Sequence, residues 1–271
     1  MQGIEEFIPT EKKVKYLNQL LKVGFDTIDF GSFVSPSVIP QLADTAEVLD
    51  RLDISETTSK LLAIIANRRG AVDAVQFEQV HYLGFPFSIS ETFQLRNTNS
   101  TMEGSLKRVA EIQELCVSTG KELVVYISMG FGNPYGDPWN AEEASKWVKK
   151  LKDFGIGIFS LADTVGVANP KNITYIFENL FKEFPGLELG AHFHTTPDNW
   201  KENVTAAYNA GCRRYDAAIK GLGGCPMADD ELVGNMATEN LLTFFKDKEK
   251  LELDENDFVE SMLLAQQIFP V

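Results

Sequence analysis

Short runs of β-branched and aromatic residues alternate along this chain with longer amphipathic stretches. Such alternation is typical of βα units, in which parallel strands form one sheet and helices cover it. The predicted strands are residues 24–33, 60–67, 80–90, 122–131, 155–164, 187–196 and 214–224. The clearest predicted helices are residues 10–23, 100–119, 141–154, 170–184 and 197–210, with a closing helix in LDENDFVESMLLAQQIF. The pattern predicts an α/β chain with the TIM (β/α)8 barrel fold.

An eight-stranded barrel leaves one strand to be accounted for, because seven are predicted. The sequence begins MQGIEEFIPT, which already reads as the loop that enters the first predicted helix. We therefore expect the first strand to be missing from an N-terminally truncated chain, with a gap in the barrel at that place. No linker or internal repeat interrupts the pattern, and barrels of about 250 residues fold as one domain, so residues 1–271 are predicted to be a single catalytic domain.

The charge and cysteine content exclude several classes of function. A formal net charge of -14 and a pI near 4.7 argue against a nucleic-acid partner, which needs dense Lys and Arg. Neither an apolar run of about 18 residues nor a secretory leader is visible, so no membrane partner is expected. Three scattered cysteines, Cys116, Cys212 and Cys225, are too few for a disulfide framework. These features predict a cytoplasmic protein.

The segment AHFHTT places two of the three histidines two residues apart. Because alternate residues of a strand face the same side, His192 and His194 are predicted to point into the barrel mouth while Phe193 packs outward. Active sites of these barrels lie at the carboxyl ends of the strands. The pair is either a site for a divalent metal or two hydrogen-bonded core histidines. His81, at the start of a strand, is interpreted as structural.

A second segment, KGLGGCPMADDELVGNMATENL, follows the last predicted strand. Its glycines permit a mobile or tightly turned backbone over the barrel mouth, but their spacing matches neither a Walker loop nor a dinucleotide fingerprint. Cys225 lies among these residues and is either a small buried apolar side chain or an accessible, reactive thiol. The neighbouring glycines and proline favour the thiol.

Five motifs in order resemble those of the 3-hydroxy-3-methylglutaryl-CoA lyases, a metal-dependent group of TIM barrels. They are SFVSPSVIPQLADTAEVL, DTVGVANP, HFH, GLGGCP and GNMATENL. The resemblance extends over nearly the whole chain. It implies a small-molecule acyl-CoA substrate, cleaved to acetoacetate and acetyl-CoA in a retro-Claisen reaction of leucine degradation, and it implies a homodimer.

The same resemblance implies roles for individual residues. His192, His194 and Asn235 correspond to ligands of a divalent metal, Mg2+ or Mn2+; Cys225, His192, Asp163 and Glu239 correspond to catalytic residues; Asp29 and Ser32 stand where the family has a Glu and a Ser near the substrate. Such a metal would chelate the substrate hydroxyl and a carboxylate. His192 would move the hydroxyl proton, and Cys225 would deliver a proton to the acetyl-CoA enolate.

The sequence departs from the family at several points and leaves alternatives open. Thr195 and Asn240 replace acidic residues of the family, and an Arg-Asp pair of the family would lie just before Met1. One alternative is a related metal-dependent aldolase or a Claisen-condensing acyltransferase of the same barrel group. Another uses Lys220 as a Schiff-base amine. A third is an inactive truncated form.

Overall fold

The computed structural model describes residues 4, 6–223 and 234–269, and within them seven parallel strands form one curved sheet. The strands are β1 (Thr27–Ser32), β2 (Lys60–Ile64), β3 (Val80–Ser88), β4 (Glu122–Ser128), β5 (Ile158–Ala162), β6 (Glu188–His192) and β7 (Arg214–Asp216). Each strand pairs with the next along the chain, so the spatial order follows the sequence. This order is that of a (β/α)8 barrel and confirms the predicted barrel topology over the seven strands of the described residues.

Helices connect the strands and cover the outside of the sheet. They are α1 (Thr10–Val23), α2 (Thr45–Asp50), α3 (Arg68–Ala74), α4 (Glu91–Thr98), α5 (Met102–Thr119), α6 (Ala141–Lys152), α7 (Pro170–Glu183), α8 (Trp200–Asn209), α9 (Thr238–Phe245) and α10 (Glu255–Ile268). Several begin at a polar residue whose side chain accepts a hydrogen bond from the first turn, as Asn140 does before α6 and Asn169 before α7. Among the described helices, none combines the length and apolar character needed to cross a membrane.

The two faces of the sheet bury different kinds of side chain. The outer face packs large apolar residues such as Phe85, Phe159 and Phe193 against the helices. On the inner face, Leu62, Tyr82, Val124 and Ile158 form a separate apolar layer towards the amino ends of the strands. Beyond that layer, towards the carboxyl ends, the inward side chains become polar. The fold therefore closes one end of the interior with apolar side chains and presents polar groups at the other end.

The structure corrects the predicted end of the last strand. Residues 214–224 were expected to form one strand, but β7 ends at Asp216 and a 3-10 turn occupies Ile219–Gly221. Lys220 adopts a left-handed conformation there, with φ of 60°, which a strand does not accommodate. The helices α2, α3, α4 and α9 were not predicted. Each has eight residues or fewer, so too few turns are present for a helical period to be recognised.

Candidate active site

His192 and His194 lie together at the carboxyl end of β6. His192 is the last residue of this strand, His194 follows two residues later, and their ring centroids are 5.6 Å apart. Phe193 between them is buried in the outer core, which confirms the predicted alternation. His194 is buried, whereas His192 is partly exposed. The strand end thus presents two imidazoles at the mouth of the barrel interior.

The chain brings Asn235 to the same place by returning to the sheet after the 3-10 turn. The main-chain N–H of Met236 donates to the carbonyl of Phe193 at 2.9 Å, and Asn235 forms an antiparallel bridge with His194. The Asn235 Nδ2 atom donates to the carbonyl of Leu222 at 2.9 Å. This hydrogen bond leaves Oδ1 as the amide atom that can bind a cation.

Two glycines make this close return possible. Gly221 has φ of +63°, and a Cβ there would lie 2.7 Å from the carbonyl oxygen of Asn235. Gly223 has φ of +92°, and a Cβ there would lie 3.0 Å from the Asn235 Nδ2 atom. A side chain at either position would push Asn235 away. Of the two predicted alternatives, a mobile or a tightly turned backbone, the structure shows a tight turn at Gly221 and Gly223, while Gly224 and Cys225 lie outside the described residues.

Asp163 follows β5 and contributes a buried carboxyl group beside β6. Its main-chain N–H donates to the carbonyl of His192 at 2.9 Å. Its Oδ1 atom accepts from the N–H groups of Val167 and Ala168 at 2.8 and 3.1 Å, whereas Oδ2 is buried with no hydrogen-bond partner among the described residues. Burial raises the pKa of Asp163 to about 7, although the backbone N–H groups oppose this. A carboxyl with one unoccupied oxygen can accept a proton or face a cation.

Asp216 and Arg214 form an ion pair that lies beside His192 inside the barrel. The Asp216 Oδ2 atom lies 3.2 Å from the His192 Nδ1 atom and accepts a 2.5 Å hydrogen bond from the Ser160 hydroxyl. The Arg214 Nη2 atom lies 3.5 Å from the other carboxylate oxygen. Burial acts to raise the pKa of Asp216, but the Arg214 guanidinium and the hydrogen bonds from His192 and Ser160 outweigh it and lower the pKa to about 2.

This ion pair was not identified from the sequence. The available signal was the spacing Arg-x-Asp in RRYDAA, which places both charges on one face of a strand. A charged pair on a short strand most often faces solvent, so the spacing alone did not indicate an inward orientation.

The two residues predicted to lie near the substrate differ in their surroundings. Asp29, on β1, points away from the core that buries Ile28 and Phe30, and its side chain faces the open space inside the curved sheet. The surrounding protein atoms raise the pKa of Asp29 to about 7, the Asp216 carboxylate adds to this shift, and His192 opposes it.

Ser32 is buried, and its hydroxyl is engaged by the backbone. The hydroxyl donates to the carbonyl of Ile64 at 3.2 Å and accepts from the N–H of Val34 at 3.1 Å. Asp29 is therefore the more accessible of the two side chains in this interior.

Glu239, in the first turn of α9, supports the chain reversal that precedes the site. Its Oε2 atom accepts a 3.0 Å hydrogen bond from the main-chain N–H of Lys220, the residue in the left-handed conformation. Glu239 thereby stabilises the 3-10 turn between β7 and the return of the chain to β6.

The residues present fit a divalent cation. Two imidazoles and an amide oxygen converge at one strand end, and imidazole nitrogens and amide oxygens both serve as ligands of divalent metals. The unpartnered Oδ2 atom of Asp163 lies on the adjacent loop. In the described part of the chain, no group of three or more His, Cys, Asp and Glu side chains could hold a metal by itself. The amide of Asn235 is therefore needed to complete three protein donors.

In comparisons with known proteins, the chain is similar to hydroxymethylglutaryl-CoA lyases. The sequence profile described as HMGL-like matches residues 1–266. Hydroxymethylglutaryl-CoA lyase YngG of Bacillus subtilis is 31% identical over 265 residues, covering 98% of this chain and 87% of the relative. The hydroxymethylglutaryl-CoA lyase of Pseudomonas mevalonii is 30% identical over 242 residues, covering 89% and 79%.

Solved structures agree with these relatives. An HMG-CoA lyase from Acinetobacter baumannii, in complex with coenzyme A and 3-methylmalate, superposes with a TM-score of 0.90 at 31% identity, covering 98% of this chain and 87% of that one. The HMG-CoA lyase from Brucella melitensis superposes with a TM-score of 0.90 at 26% identity, covering 98% of this chain and 93% of that one. The carboxyl transferase domain of Rhizobium etli pyruvate carboxylase gives 0.71 at 15% identity, over 96% of this chain and 44% of that one, and shares the fold alone.

Proposed function

Because the chain belongs to the HMGL-like family, we propose that it is a carbon–carbon lyase that cleaves 3-hydroxy-3-methylglutaryl-CoA to acetoacetate and acetyl-CoA. The observation that carries this proposal is the convergence of His192, His194 and Asn235 at the carboxyl end of the sheet. The relatives named hydroxymethylglutaryl-CoA lyase, and the neighbour that holds coenzyme A, support an acyl-CoA substrate.

His192, His194 and the Oδ1 atom of Asn235 would hold a divalent metal, Mg2+ or Mn2+. When bound, such an ion orients the substrate hydroxyl and lowers its pKa. The interior beside these residues offers Asp29 and Asp163, whose raised pKa values of about 7 allow each carboxyl to hold a proton near neutral pH. Carboxyl groups that are neutral at this pH repel an anionic substrate less than ionised carboxylates do.

The cleavage requires two proton movements. His192 takes the proton of the C3 hydroxyl on a ring nitrogen whose lone pair is not then bound to the metal, the bond between C2 and C3 breaks, and C3 becomes the ketone of acetoacetate. The electron pair of that bond stays on C2 as the enolate of acetyl-CoA. Cys225, which lies outside the described residues, delivers the proton that turns this enolate into acetyl-CoA. Glu239 contributes by stabilising the turn that brings Asn235 to the site.

A product assay tests the proposal. The full chain, incubated with 3-hydroxy-3-methylglutaryl-CoA and Mg2+ or Mn2+, is expected to release acetyl-CoA and acetoacetate in equal amounts. EDTA should abolish the release, and added metal should restore it. Absence of both products under these conditions would reject the proposal. If the chain instead condenses acetyl-CoA with a 2-oxo acid, it is a Claisen-condensing enzyme. If its activity resists EDTA and borohydride traps a substrate adduct on Lys220, it uses a Schiff base.

We also propose that residues 1–271 act as one catalytic domain, and that the protein is a cytoplasmic homodimer in leucine degradation. The family resemblance supports the dimer and the pathway, and the scattered cysteines suit a reducing compartment. Light scattering should give a mass of about twice the 30.2 kDa of one chain. A mass of one chain at micromolar concentration would reject the dimer.

A further inference from the structure

His192 has a carboxylate partner on the neighbouring strand. In the pairing of β6 with β7, His192 lies directly opposite Asp216, and Gly190 lies opposite Arg214. Both charged side chains therefore share the inner face of the sheet with the His192 ring. The distance from Nδ1 of His192 to Oδ2 of Asp216 is 3.2 Å. The strand register, rather than a flexible loop, sets this contact.

Other groups fix the Asp216 carboxylate and the His192 ring. The Ser160 hydroxyl, on β5, donates to the same carboxylate oxygen that faces His192. The Arg214 guanidinium lies 3.5 Å from the second carboxylate oxygen. The ring of Tyr126, on β4, meets the His192 ring edge-on at 5.6 Å. Rotation of the carboxylate away from His192 would therefore break two further contacts.

The glycine at position 190 leaves room for the Arg214 side chain beside Asp216. A Cβ at Gly190 would lie 2.7 Å from the Arg214 Nη1 atom and 3.0 Å from its Cγ atom. The guanidinium also reaches Glu188, whose Oε1 atom is 3.2 Å from Nε. The Arg214 side chain thus occupies space across β6 that only glycine leaves open.

We propose that Asp216 is a positioning residue that holds the neutral His192 imidazole in the tautomer with its proton on Nδ1. A carboxylate only accepts hydrogen bonds, so the ring nitrogen that faces it must carry the proton. The lone pair then lies on Nε2, the nitrogen turned away from Asp216. This inference rests on the proposed role of His192, whose single lone pair on Nε2 can bind the metal or take the hydroxyl proton but not both at once, and a carboxylate behind a ligating imidazole fixes the orientation of the ring.

The tautomer can be measured on the metal-free protein. The chain has three histidines, so long-range 1H–15N correlation spectra of their ring nitrogens can be assigned by single substitutions. His81 serves as an internal reference, because its Nδ1 atom accepts from the N–H of Leu61 at 3.3 Å and its proton must lie on Nε2. At a pH about two units above the ordinary histidine pKa, His192 is expected to show the opposite pattern, with the proton on Nδ1.

Substitutions at Asp216 extend this test. In Asp216→Ala, the Nδ1–H pattern of His192 should be lost, and Mn2+ affinity, measured by electron paramagnetic resonance without substrate, should fall about 10- to 100-fold. Asp216→Asn, which keeps the size of the side chain, should weaken Mn2+ binding less than Asp216→Ala. Glu188→Gln is the matched control, because Glu188 contacts the same guanidinium but not His192. It should keep both the tautomer and the affinity.

Two results would overturn the inference. One is a wild-type His192 with its proton on Nε2, and the other is a folded Asp216→Ala variant with unchanged tautomer and Mn2+ affinity. The tautomer measurement needs neither substrate nor metal, so it decides this inference even if the chain fails to cleave 3-hydroxy-3-methylglutaryl-CoA.

Discussion

At the scale of single residues, His192 combines three contacts that together restrict its ring. Asp216 faces one ring nitrogen, the Tyr126 ring packs edge-on against the His192 ring, and the ring centroid of His194 lies 5.6 Å from that of His192. A ring restricted in this way presents one nitrogen in a fixed direction. Such preorganisation lowers the reorganisation needed when a substrate or a metal arrives.

Substitution of His192 should affect activity more than folding. In His192→Ala, kcat for 3-hydroxy-3-methylglutaryl-CoA cleavage is expected to fall about 10²- to 10⁴-fold, because the group that moves the hydroxyl proton is lost. The measurement is steady-state release of acetyl-CoA at saturating metal. His81→Gln is the control, since His81 lies at the start of β3 and contacts a main-chain N–H. Near-normal kcat in His192→Ala would remove His192 from the mechanism.

The sequence predicted this pair of histidines for a definite physical reason. Alternation along a strand depends only on spacing, so the shared face of His192 and His194 could be derived without a structure. The partnership with Asp216 could not be derived in the same way. It depends on which residue of β7 pairs with His192, and the register between two strands is not encoded in either strand alone.

At the scale of elements, the packing of β6 against β7 depends on a glycine. Gly190 leaves the space that Arg214 occupies, and Arg214 in turn contacts the carboxylate of Asp216. A change in one strand therefore reaches the site through the side chain of the next strand.

Gly190→Ala should destabilise the protein. The added methyl group would lie 2.7 Å from the Arg214 Nη1 atom, so the guanidinium must move, and the free energy of unfolding should fall by about 1–3 kcal/mol. Denaturant unfolding followed by circular dichroism measures the change. Gly157→Ala is the control, because a Cβ there meets nothing within 4 Å. Equal stability of the two variants would contradict the close packing at Gly190.

The loop after β4 is tied to α4 through Asp137. Its carboxylate accepts hydrogen bonds from the Ser90 hydroxyl at 2.5 Å and from the N–H of Thr92 at 2.9 Å. Burial acts to raise the pKa of Asp137, but these hydrogen bonds outweigh it and lower the pKa below its ordinary value. Because the folded pKa is lowered, the stabilisation is complete above the ordinary aspartate pKa and is lost as the pH falls through the lowered value.

Asp137→Asn should therefore lower the free energy of unfolding by about 1–2 kcal/mol at pH 7. The difference from wild type should shrink as the pH falls below about 4, because the carboxyl of the unfolded wild-type chain becomes protonated there while the folded one stays ionised to a lower pH. Urea unfolding at a series of pH values measures both. Asp153→Asn, at an exposed position after α6, should change stability by less than about 0.5 kcal/mol. A difference at Asp137 that is constant with pH would exclude the charge as its cause.

The length of an element decided whether the sequence could predict it. The helix α1 occupies the predicted residues 10–23, and α5 and α7 lie within a few residues of their predicted bounds. These helices have 14 to 18 residues, long enough for the apolar period to repeat several times. The predicted end of the last strand was wrong because Lys220 adopts a left-handed conformation. Its main-chain N–H donates a hydrogen bond to Glu239, nineteen positions away along the chain.

At the scale of the whole molecule, charge should influence how substrate arrives. The chain carries a formal net charge of -14, and the phosphates of an acyl-CoA are also negative. Their repulsion extends about 30 Å at 0.01 M salt and about 8 Å at 0.15 M. Association should therefore be slower at low ionic strength unless basic side chains near the site compensate.

We expect kcat/KM for the acyl-CoA to rise as NaCl is increased from 0.01 to about 0.15 M, because screening reduces this repulsion. Stopped-time assays of acetyl-CoA release, at fixed pH and saturating metal, measure the dependence. Sucrose at matched osmolality controls for effects of solute other than ionic strength. A steep fall in kcat/KM with salt would show instead that a basic surface attracts the substrate.

The return of the chain at Asn235 has a consequence for engineering. Gly221 and Gly234 lie so close that a Cβ on Gly234 would be 2.9 Å from the Gly221 carbonyl oxygen. The two ends of the segment 224–233 are thus held together by main-chain contacts of the sheet, independently of what that segment contains. Because the main chain is held on both sides of residues 224–233, doubling the number of residues between Gly223 and Gly234 should cost only about 0.6 kcal/mol, so the chain can be lengthened there while the imidazoles and the strands stay in place.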